Sequence, residues 1–239
     1  NFHGNLIKAA EWNMKQCQQC HASDYSGGYT LSSCLDCHTH PKGPESCNTC
    51  HGSFANPARI APPRDTKGNI VTTAKGVGAH ALHLYDGMMG ATVECNECHI
   101  VPQNIYDPGH LTPIPGHPKI LFGELAKLKT KPGEEPGYNF ANNTCSNTYC
   151  HGNFVFYRDS SNFPQFYTAD VMTGNNRTVS WTKVDGSEAA CGTCHGLPPT
   201  GHVAANLSQC GDCHRNVVDA QGNILDKSMH INGKVNVFW

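Results

Sequence analysis

Every cysteine in this 239-residue chain belongs to a pair whose second member is followed at once by histidine. Six pairs have the spacing Cys-x-x-Cys-His: Cys17-Cys20-His21, Cys34-Cys37-His38, Cys47-Cys50-His51, Cys95-Cys98-His99, Cys191-Cys194-His195 and Cys210-Cys213-His214. The remaining two of the 14 cysteines give a wider form, Cys145 and Cys150 followed by His151. Cys-x-x-Cys-His is the attachment sequence of c-type haem: two thioethers tether the porphyrin, and the adjacent imidazole ligates iron from the proximal side. In the wide form Cys150-His151 keeps that local geometry, while two extra residues loop outward before Cys145 reaches the second vinyl. Zinc sites and disulfides also use spaced cysteines, but neither requires a histidine after every second one. The pattern therefore predicts seven covalently bound haem c groups.

Seven porphyrins leave about 34 residues for each. A chain with 38% hydrophobic residues, 24 Gly and 15 Pro would build a poor interior alone. The covalent cofactors must supply much of the core, and without them the chain is expected to be largely unfolded. The expected fold class is a multihaem cytochrome c: mostly irregular coil, short helices and few strands wrapped around a continuous haem array. The chain is expected to pack as one continuous unit.

A formal charge of -2 does not suggest nucleic acid or an anionic membrane as partner. No run is long and apolar enough to span a bilayer. Asn1 reads as the start of a processed or trimmed chain. Haem is attached to such proteins outside the cytoplasmic membrane, which predicts an exported protein.

Locally, the LIKAAEW pattern near the start suggests a short amphipathic helix. KILFGELAKL should form a brief strand or helix, and the apolar C-terminal tail a short strand. His80 and His83, three residues apart, would share one face of a helix and could serve two neighbouring haems. The aromatics of 152–190, among them Phe154, Phe156 and Trp181, are expected to pack against porphyrin rather than relay electrons.

Seven of the 15 histidines follow motif cysteines, and eight remain: His3, His40, His80, His83, His110, His117, His202 and His230. Seven distal positions need filling, so bis-histidine ligation throughout is the simplest reading. Five methionines could also ligate and would raise the potential. With every iron closed by imidazole, the chain has no evident seat for oxygen or nitrogen-oxide chemistry. Electron transfer, and no catalytic residue, follows; a reductase with one exchangeable distal ligand is the rival.

The segments GVGAHALHL, ECNECHIVPQNIYDPGHL, NNTCSNTYCHGN, CGTCHGLPPTGH and HINGKVNV resemble the Geobacter-type multihaem cytochromes with mixed CxxCH and CxxxxCH sites. The resemblance implies an exported low-potential carrier, extracellular or at the cell surface, with the periplasm as alternative. It implies redox partner proteins, and extracellular metal oxides or electrodes as terminal acceptors. It also implies His80, His83, His110, His202 and His230 as distal ligands from Cys47 onward, leaving His3 and His40 for the two earlier haems. His117 is then surplus, or replaces His3. Some relatives polymerise into conducting filaments, and His3 at the terminus could reach a second copy; an intramolecular ligand is the alternative.

Overall fold

With glycine and proline so frequent, few stretches can sustain a backbone ladder. The computed structural model describes residues 2–111 and 118–238, so His117 lies outside the described residues. Helix α1 is Phe2–Ala9, α2 Lys15–His21, α3 Cys47–Cys50, α4 Glu124–Lys127 and α5 Cys210–Cys213. The strands are β1 Gly137–Asn139, β2 Thr144–Ser146, β3 Val155–Tyr157, β4 Val171–Thr173 and β5 Val179–Ser180. β1, β2 and β5 form one antiparallel sheet in that order, and β3 and β4 form another. The remainder is coil and single turns, as expected for the fold class.

Helix α1 occupies the LIKAAEW region but stops early. Trp12 N–H bonds the Ile7 carbonyl at 2.9 Å and Glu11 N–H the Lys8 carbonyl at 3.1 Å. With Glu11 at φ 50°, this pair of bonds is the Schellman closure. KILFGELAKL divides the two expectations: Ile120 bridges His99, and α4 follows. The tail forms no strand among the described residues. Isolated bonds hold it instead, such as Phe238 N–H to the Cys213 carbonyl at 2.8 Å, because no neighbouring edge runs alongside it.

The chain divides into two compact units. Unit 1 is Asn1–Ile70 with Ile100–Lys119, and unit 2 is Val71–His99 with Ile120–Trp239. The resemblance implies an N-terminal dihaem segment, 1–46, and a pentahaem module, 47–239; unit 1 holds three motifs and unit 2 four. In unit 1, Met14, Tyr25 and Ile105 form a small buried cluster, packed by Ile7, Tyr106 and Leu111. Unit 2 buries Val77, Tyr149, Val155, Tyr167, Met172 and Val179.

Each unit also contains one copy of an Asp-x-x-Gly-Asn loop. Asp65 accepts from the N–H groups of Lys67 and Asn69 at 2.9 and 2.8 Å, and from the Asn69 amide at 2.9 Å. Asp219 does the same with Gln221 and Asn223, at 2.9, 2.8 and 2.8 Å. The glycines, Gly68 and Gly222, sit at φ 89° and 86°, where other residues are strained.

Candidate haem-ligating site

One helical turn brings both cysteines and the histidine of a Cys-x-x-Cys-His motif onto one face. That turn is closed by a 2.9 Å bond from the histidine N–H to the first cysteine's carbonyl at His38, His99 and His214. The wide motif is built differently. Cys145 lies in β2, paired with Tyr138 of β1 and Val179 of β5. The chain then turns at Asn147, φ 58°, into the tight turn Tyr149–His151. The two extra residues are thus the exit from a strand.

This motif packs directly on the next one. A Cβ on Gly152 would lie 2.0 Å from the Cys194 carbonyl, so only glycine admits the approach. Asn175 N–H bonds the same carbonyl at 2.9 Å. No cysteine is in a disulfide. Burial pushes the thiols of Cys50 and Cys98 up to about 11, and those of Cys145 and Cys150 up to about 12. Among the described residues no three His, Cys, Asp or Glu converge as a zinc site requires.

Five motif histidines face a second imidazole within their own unit. Ring centres are 6.4 Å apart for His38 and His3, 6.4 Å for His51 and His110, and 6.1 Å for His99 and His80. The values for His151 with His83 and His195 with His230 are 6.1 and 6.3 Å. An imidazole nitrogen binds a transition metal at about 2.0 Å and lies about 1.1 Å from its ring centre. Two such ligands on one iron therefore place their centres about 6.2 Å apart. The angle between ring planes runs from 22° to 90° while the distance hardly varies. Four pairs stand between 69° and 90° and the fifth at 22°, so it is the shared distance that carries the fit.

The other ring nitrogen supports the same fit. Nδ1 is within bonding distance of a backbone carbonyl in His51 (Ile60, 2.5 Å), His80 (Val77, 2.7 Å), His83 (Ala79, 2.9 Å) and His110 (Ile105, 2.8 Å). The same holds for His195 (Gly196, 2.7 Å), His202 (Val203, 2.7 Å), His214 (Asn236, 2.6 Å) and His230 (Met89, 2.5 Å). A carbonyl only accepts, so Nδ1 carries the proton and Nε2 keeps its lone pair for metal. Burial, then His83, pushes His151 down to about 4, and burial, then the facing imidazole, also lowers His38 and His230. His214 is lowered by burial against its bond to Asn236, with His202 and His195 adding to the effect. Neutral imidazole is the ligating form.

Unit 1 is less regular. His38 Nδ1 is buried with no hydrogen-bond partner, and a cavity of about 630 Å³ opens beside it, lined by Tyr25, Leu35, His40 and Glu45. His40 points its ligating Nε2 at the Phe54 carbonyl, 3.1 Å away. His21 is held through Nδ1 by Thr30 Oγ1 and the Ser32 carbonyl at 3.0 and 3.2 Å, and no described imidazole is paired with it. The residues present fit haem c in spacing at every motif, in tautomer at His51, His195 and His214, and in room beside His38.

Leu82–Asp86 winds as a π-type turn, a form often found at functional sites, and it carries His83. Sequence reading missed one contact here: Trp181 touches the rings of both His80 and His83, at 4.7 and 5.9 Å between centres. Nothing in the local sequence distinguishes it from the neighbouring aromatics. The twin Asp-x-x-Gly-Asn loops were also missed, though a search for short internal repeats would find them.

Residues 144–195 match the family model described as the Geobacter CxxxxCH...CXXCH motif. They are the segment in which the wide motif packs on the Cys191 motif. No curated protein and no solved structure matches the chain.

Proposed function

We infer that this chain, a multihaem c-type cytochrome of the Geobacter CxxxxCH...CXXCH kind, carries seven haem c groups and serves as an exported carrier of low-potential electrons. The observation that carries the reading is the set of imidazole pairs at 6.1 to 6.4 Å. When bound, haem c supplies an iron that accepts and releases one electron. The cysteine pairs would tether it, and the paired imidazoles would ligate its metal and leave no position for substrate. Nδ1 bonds to carbonyls make those imidazoles stronger donors, which favours ferric iron and lowers the potential. No helix among the described residues is long and apolar enough to cross a membrane.

In this reading the chain is wrapped around a continuous haem array, His80, His83, His110, His202, His230 and His3 are distal ligands, and redox proteins, metal oxides or electrodes are partners. Intact mass measurement should find seven tetrapyrrole adducts, and fewer would overturn the count. A high-spin ferric signal altered by carbon monoxide or nitrite would instead favour the reductase.

A second reading rests on His21. With His3 facing His38 of its own chain, the imidazole for His21 would come either from His117, which lies outside the described residues, or from a second copy, which would give a polymer through the N-terminal region. Negative-stain imaging and sedimentation separate filaments from a periplasmic monomer.

A further inference from the structure

We propose that Trp181 is a positioning residue shared by two haem sites, fixing the His80 and His83 rings in different orientations. The proposal rests on the reading of His80 and His83 as distal ligands.

Strand β5 ends at Ser180, opposite Thr144 of β2, so the antiparallel pairing carries Trp181 to Asn143. Trp181 N–H bonds the Asn143 carbonyl at 2.8 Å, and indole Nε1–H donates to the Lys75 carbonyl at 2.8 Å. The indole is therefore anchored at its backbone and at its polar edge. One side of the seat is Gly78, φ 45°, where a Cβ would lie 2.0 Å from the indole nitrogen. Against this fixed plane His80 stands at 88° and His83 lies at 25°.

The consequence appears across each metal position. His80 makes 22° with His99, nearly parallel, whereas His83 makes 69° with His151. Each distal Nδ1 is held by a carbonyl of its own turn, Val77 or Ala79, about which the ring can pivot. The indole blocks both pivots. Parallel axial imidazoles split the iron orbitals they face and give a rhombic ferric signal; crossed rings leave those orbitals nearly degenerate and give a strongly anisotropic one. Second-shell contacts of this kind set ligand orientation and tune the metal. Adjacent haems would then differ through one side chain.

The test is low-temperature electron paramagnetic resonance of the oxidised holoprotein, with haem content measured by mass. Trp181→Leu should shift one rhombic and one strongly anisotropic low-spin signal and leave the others in place. Trp181→Phe, which restores a ring but not the bond to Lys75, should shift both less, and Gly78→Ala should disturb the same two. Spectra that superimpose on the parent at unchanged haem content would overturn the proposal. If Trp181→Leu fails to load haem, Trp181→Phe decides: the same two signals shift, or the proposal falls. Absence of haem from Cys95, Cys98, Cys145 and Cys150 in the unsubstituted chain would overturn the haem reading itself.

Discussion

Unit 2 sets three of its four motif histidines against a second imidazole: His99 with His80, His151 with His83, and His195 with His230, while burial, and after it His202 and His195, lower the pKa of His214. Unit 1 pairs His38 with His3 and His51 with His110, but turns His40 away and leaves His21 facing no described imidazole. The difference lies in how the distal donors are held. In unit 2 each Nδ1 is tied to a carbonyl, whereas in His40 it is Nε2 that meets one. Which nitrogen the backbone captures thus differs between the donors, and a count of histidines cannot see that.

The sharpest break between the units comes from removing ligands. His83→Ala should convert one low-spin centre of the oxidised protein to high-spin, read by electron paramagnetic resonance. His40→Ala should leave the spectrum unchanged; a new high-spin centre there would mean that His40 ligates after all.

Replacing Cys145 and Cys150 together by Ala should remove one haem adduct in the mass spectrum. The Cys191 motif should keep its haem but lose thermal stability, since the two motifs share the Gly152 contact. His3→Ala should create one high-spin centre at His38. The same variant should leave any filament intact, because His3 is used within its own chain; loss of filaments would reverse that conclusion.

A smaller effect separates the twin loops. Asp65 is buried and Asp219 only half-buried. Asp65→Ala should cost about 2 kcal/mol through its lost hydrogen bonds, measured by thermal unfolding, and Asp219→Ala distinctly less. Burial alone would raise the Asp65 carboxyl, but hydrogen bonds from Asn69, Lys67 and Gly68 outweigh it and hold it below the usual range. Its folded value is thus below its unfolded one. The contribution is present above about pH 4 and lost as pH falls through the folded value. A stability difference between parent and Asp65→Ala that persists unchanged well below that value would refute the assignment.

Much of this was legible from spacing. The cysteine pairs announce covalent haem because their chemistry is local: two sulfurs and an imidazole within five residues need no tertiary help. Coil, short helices and few strands follow from Gly, Pro and a weak apolar pattern. The ends of elements were less legible, as the Schellman closure at Glu11 and the strandless tail illustrate, since they depend on single hydrogen bonds. Trp181 could not be distinguished from Phe154 or Phe156 until the sheet placed it against two imidazoles.

By itself, then, the sequence determined what is bound, because thioether attachment and proximal ligation act between near neighbours. Only the tertiary structure decided which imidazole faces which. Those partners lie up to 68 residues apart, as in His83 and His151, and their meeting depends on turns, glycine contacts and carbonyl captures that no spacing rule records.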